Sequence, residues 1–272
     1  MTNHNPLPPI LRELFPADLT TGRTLSVVLP PGRTVLPDDG EGPVPVMWMS
    51  DGPAAAGLWS ELVASHHSSG LWPLLLEAHR LGMEEFRPWG SGELFPDMMS
   101  QPEEHDPQEL LAGWWEGCAG VDEGLAAFVD RQTARRTGGD VSAADADSRA
   151  RAYAAELLQR RPRLRIGLVP ADRGADALTA SGWSGPVNSV SDTAEISAVL
   201  RYWEDRFGVR VVALGFADLY VSVAAPPTTL SEAMQVAAEH FAFCPDNVGS
   251  IEELPEYAEQ LVNADSWHFW WD

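Results

Sequence analysis

The chain has 272 residues, enough for about two domains of ordinary size and for a core that needs no disulfide or metal staples. Its 40 acidic residues face 18 basic ones, every one of them arginine, giving a formal charge of −22. That balance repels a phosphate backbone and an anionic leaflet, so it argues against nucleic-acid and membrane-surface binding and favours a cationic partner. At 44% hydrophobic residues with eleven tryptophans, this is a packing chain and not a disordered acidic tail.

In chain order, Met1 to Pro9 has neither the cationic nor the apolar stretch of a secretory leader. No run reaches the ~18 apolar residues of a membrane span. The two cysteines, Cys118 and Cys244, follow no paired spacing. These features predict a cytoplasmic protein and leave its oligomeric state open. Thr24 to Leu29 and Val44 to Met49 read as strands, and Ala54 to His67 as a helix with Leu58 and Leu62 inward. Asp106-Pro107-Gln108-Glu109 caps a helix carrying Leu110, Leu111, Trp114 and Trp115.

Charge is distributed in three blocks: residues 1–130 carry −15, residues 131–173 carry +5, and residues 174–272 carry −12. The basic block contains a small, polar stretch that reads as a linker at 137–148. It divides an N-terminal domain, 1–136, from a C-terminal domain, 149–272. The arginines of this block are placed to pair with acids on either side.

Leu164, Ile166 and Leu168 alternate with polar or small residues as in a strand ending at Pro170. Asp192 and Glu195 fit a capping box ahead of a helix with the stripe Ile196, Val199, Leu200, Trp203 and Phe207, stopped by Gly208. Val209 to Leu214 and Leu219 to Ala224 form a hairpin. Thr229 and Glu232 make a second capping box, followed by a helix that Pro245 closes and a short one carrying Tyr257, Leu261 and Val262. In the final strand Trp267, Phe269 and Trp271 share the buried face, leaving Trp270 outward. The predicted class is α+β: an antiparallel or mixed sheet with helices packed on one face, in two α/β-type lobes.

Several strings occur in order: Gly167-Leu168-Val169-Pro170, Gly182-Trp183-Ser184-Gly185-Pro186, Leu200 to Gly208, Ala224-Ala225-Pro226-Pro227, Ala238 to Asn247, and Phe269-Trp270-Trp271-Asp272. Together they resemble the bacterial family known as domain of unknown function 4253, over about 110 residues from Leu164. Trp72-Pro73-Leu74-Leu75 resembles its long actinobacterial members, and the arginine-only, Gly- and Ala-rich composition suits a high-GC gene. The resemblance implies no activity, so no residue inherits a catalytic role.

Chemistry could reside at Glu239, His240, Cys244 and Asp246. His240 and Cys244 lie four apart on one helical face, a spacing that can offer metal ligands, with His268 as a third, or a thiolate beside an imidazole. The simpler reading makes His240 and Cys244 packing residues and Asp246 a turn cap, with no metal and no cofactor. Arg201 and Asp205 are an i,i+4 pair on a solvated face that could meet a partner or an anionic ligand, and Trp270 is a candidate contact. No phosphate loop, nucleophile elbow, zincin or EF-hand pattern is present. The leading expectation is therefore a non-enzymatic interaction module engaging a basic partner, with immunity- or antitoxin-like neutralisation as one concrete version. The alternative is an enzyme with a cryptic inter-domain site built on His240, Cys244 and Asp246, with or without a metal.

Overall fold

The computed structural model describes residues 5–38, 44–119 and 141–272. Its strands are β1 (Gly32–Val35), β2 (Met47–Pro53), β3 (Leu71–Leu76), β4 (Arg165–Pro170), β5 (Arg210–Leu214), β6 (Asp218–Ser222) and β7 (Ser266–Trp270). They form one sheet in the order β1-β2-β4-β3-β5-β6-β7, antiparallel throughout except for the parallel pair β3–β5. The expected mixed α+β class, a largely antiparallel sheet with helices packed against it, is what forms.

The described helices are α1 (Pro9–Arg12), α2 (Leu58–Ala64), α3 (His66–Ser69), α4 (Pro107–Ala119), α5 (Ala143–Arg160), α6 (Ala177–Ser181), α7 (Thr193–Phe207), α8 (Leu230–Phe243) and α9 (Leu254–Leu261). None is long and apolar enough to cross a membrane. Side-chain alternation on β6 and β7 separates the two faces. Leu219, Val221, Trp267 and Phe269 point toward α7 and α8, where Trp203 stacks on Phe269 at 5.6 Å. Tyr220 and His268 point the other way, toward the C-terminal end of α5, where Arg161 meets Tyr220. Helices thus cover both faces over the sheet centre. At the β7 edge His268 and Trp270 stay exposed.

The division into two domains does not hold as two separate sheets. β4 comes from the C-terminal part yet lies between β2 and β3 of the N-terminal part, and β3 in turn separates β4 from β5. One hydrophobic cluster spans both parts. Of the linker placed at 137–148, residues 137–140 lie outside the described residues, and 143–148 open α5, where the Ser142 hydroxyl accepts from the Asp145 amide.

Local signals in the C-terminal part translate directly into structure. Thr229 and Glu232 form a reciprocal capping box on α8, and Gly208 takes a φ of 61° to stop α7. Asp192 caps α7 through the Ala194 amide. The N-terminal part departs more from expectation. Thr24 to Leu29 holds only an isolated bridge from Thr24 to Pro6, and the 54–67 helix divides into α2 and α3. β3 was hidden by Pro73, which cannot donate to a ladder. It is tolerated centrally because the β5 register begins at Leu75, and the Val211 carbonyl accepts from the Trp72 indole at 3.0 Å.

Candidate functional site

His240 and Cys244 face the core and not a cleft. The His240 imidazole is fully buried among Trp203, Trp267 and Phe269, with ring centroids 5.1, 4.5 and 4.9 Å away. Its Nδ1 stands 3.0 Å from the Tyr257 hydroxyl, and burial lowers its pKa to about 3, so the ring is neutral. Cys244 is equally buried; its thiol contacts the Trp270 carbonyl oxygen at 3.1 Å, and desolvation pushes its pKa up to about 12. A thiol held neutral in this way is no nucleophile.

The other members of that proposed constellation are dispersed. Glu239 is tied to Arg206 at 2.7 Å and accepts from the Trp203 indole at 2.8 Å. Asp246 sits at the surface and accepts from the Asp272 amide. His268 lies on the opposite face of β7 from Trp267 and pairs with Asp218 at 2.8 Å. Among the described residues no group of three or more His, Cys, Asp or Glu side chains could hold a metal ion.

Arg201 and Asp205 do not pair with each other as their spacing suggests. Arg201 reaches Asp176 at 2.5 Å and Glu103 at 2.7 Å, while Asp205 accepts from Arg173 at 2.7 Å. Arg201 lines a cleft of about 550 Å³ with Asp176, Glu103 and Arg23. The face of α7 read as solvated is in fact partly closed, because Gly174–Asp176 packs over it. Glu204 is buried there, whereas Arg206 is buried on another side of the helix against Glu239 of α8. Glu204 accepts from Arg173 Nε at 2.6 Å and from the Ala175 amide at 3.3 Å; burial nevertheless raises its carboxyl above the usual range. It borders a polar cleft of about 490 Å³ that also holds Arg210 and Asp147, paired at 3.1 Å.

Trp270 is half-exposed at 44%, and it lines the most apolar of these openings, a groove of about 580 Å³. Phe216, Met98, Val187 and Trp271 join it from segments far apart in the chain. Sequence reading singled out Trp270 alone. The others carry no local signal, because no periodicity links a 3-10 turn at Pro96–Met98, the loop around Val187 and the β5–β6 hairpin turn.

The charge layout is also visible. At least nine of the 15 described arginines pair with a described carboxylate. From the basic block, Arg161 reaches back to Glu77 and contacts the Tyr220 hydroxyl, whereas Arg149 and Arg173 reach forward to Asp265 and Glu204. Tyr220 lies 3.1 Å from Glu77 and 3.3 Å from Asp218, and burial drives its pKa upward.

The strand β4, the hairpin, α7 to α9 and the aromatic edge strand lie in a segment that the model of one family covers. Residues 165–272 match the family described as Domain of unknown function (DUF4253). Comparison with curated proteins and with solved structures returns no match. The DUF4253 segment contains His240, Cys244, Glu204 and Trp270, but not β3, which its own strands flank.

Proposed function

We propose that the protein acts by binding, as an interaction module that engages a basic protein partner, with immunity- or antitoxin-like neutralisation as its concrete form. The observation that carries this reading is the use of cations. Residues 211–272 contain ten acids and neither arginine nor lysine. The described ion pairs from arginine reach two of those acids, Glu239 and Asp265. Glu252, Glu253, Glu256 and Glu259, on α9 and the turn before it, are exposed and have no cationic partner among the described residues. Four such carboxylates within eight residues repel one another, and a cationic surface relieves that repulsion while speeding encounter.

The burial of His240 and Cys244 further supports binding over catalysis at that constellation, since both are sealed from any substrate in their neutral forms. The test is capture from the protein's own cell extract on immobilised full-length chain at low salt, followed by elution with salt and mass spectrometry. A predominant protein of strongly basic composition is expected in the eluate. An eluate with no enrichment of basic proteins would overturn the reading.

A further inference from the structure

We propose that the groove beside Trp270 seats an apolar side chain flanked by arginine or lysine from an extended segment of the basic partner. This rests on the interaction reading above and assigns it a contact point. Of the large hydrophobic side chains left exposed, Met98 at 66%, Val187 at 56% and Trp270 at 44% converge on this one opening, with Phe216 and Trp271 at its wall. Such convergence marks a contact surface in a way that scattered exposed side chains do not.

Two enclosed indoles back the groove. Trp271 is 2% exposed, lines the groove, and its buried indole N–H has no partner among the described residues. The neighbouring indole of Trp183, by contrast, already donates to the Gly215 carbonyl at 2.9 Å.

The charge at the rim selects the occupant. Arg87 is the arginine of the lining, and it is spent: its Nε lies 2.6 and 2.8 Å from the two Glu93 oxygens, and its guanidinium lies 4.9 Å from the Phe216 ring. Asp218 is engaged by His268 at 2.8 Å, so the exposed Asp272 is the rim carboxylate without a cationic partner among the described residues, and the exposed Asp246 accepts from its amide just beyond. An apolar floor with this rim fits a side chain such as leucine between cationic neighbours, one of which can also lie over the Trp270 ring.

The probe is a short capped peptide with arginines flanking a central leucine, titrated calorimetrically into the full chain and into Trp270→Ala and Val187→Arg. Both positions are exposed, so the two variants are expected to melt as the native chain does. Binding to native protein, weakened about tenfold by either substitution and by leucine-to-alanine exchange in the peptide, is the expected result. Equal binding to all three proteins would overturn the groove while leaving the basic-partner reading intact. Binding that survives replacement of the peptide's arginines by glutamine would overturn the basic occupant. No binding to native protein would overturn the groove proposal, and capture from cell extract would still test the wider reading by itself.

Discussion

The Tyr257 hydroxyl and His240 Nδ1 meet 3.0 Å apart inside a shell of aromatic rings, joining α9 to α8 through a polar contact in the core. Burial holds the tyrosine pKa up at about 12 and the histidine down at about 3, so both are neutral across the physiological range. In an unfolded chain the imidazole would titrate near ~6.5. Between that value and about 3 the unfolded state binds a proton that the native state refuses, so stability falls as pH drops through this window. The loss from this one residue is on the order of 5 kcal/mol over the whole window. Urea unfolding of native protein and His240→Phe near neutrality and near pH ~4.5 checks it. The variant is expected to lose less stability on acidification; the same loss in both proteins would contradict the assignment.

Arg173 and Glu204 form a pair in which one partner is nearly inaccessible, the Glu204 side chain being 4% exposed. Arg173→Ala leaves that carboxylate buried without its guanidinium and is expected to cost about 3 kcal/mol. Glu204→Gln added to it should recover much of the loss, because a neutral amide needs no counter-charge. Denaturant midpoints of the two variants measure the difference.

The two thiols should behave differently toward an alkylating reagent at mildly alkaline pH. Cys118 is exposed and Cys244 is buried, with its thiol pKa near 12. One label per native chain is expected, on Cys118, with the second appearing only in denaturant. Rapid native labelling of Cys244 would mean that its surroundings open readily.

The segment 149–272, which includes the whole DUF4253 match, is expected not to fold on its own. Without β3 its strands β4 and β5 have a gap between them, and both would present unpaired edges to solvent. Leu71, Leu74, Leu75 and Leu76, all at most 1% exposed, would also be missing from the core. Thermal melting followed by circular dichroism should be cooperative for the full chain and absent or broad for the fragment.

Legibility in the sequence followed the range of the interactions. The Thr229–Glu232 box, the Gly208 stop, the hairpin and the alternation of Trp267, Phe269 and Trp271 are set by neighbours a few residues apart, and each appears where its pattern places it. β3 carries no readable strand signal because Pro73 normally forbids a central strand, and only the Trp72 indole and the late β5 register make room for it. Glu204 and Arg206 look like solvent-facing positions on α7, but Gly174–Asp176 and Glu239 come from elsewhere in the chain to cover or pair with them. The groove was readable only at Trp270, since Met98, Val187 and Phe216 are brought to it by tertiary packing alone.

The most direct test of an acidic surface that engages a basic partner is the dissociation constant of the protein captured at low salt, measured at about 0.1 M and about 1 M salt, where the Debye length shrinks roughly threefold. Native protein is expected to bind at least about tenfold more weakly at the higher salt. Replacing Glu252, Glu253, Glu256 and Glu259 together with glutamine should weaken low-salt binding and flatten that dependence. An affinity indifferent both to salt and to the four substitutions would contradict engagement through these carboxylates.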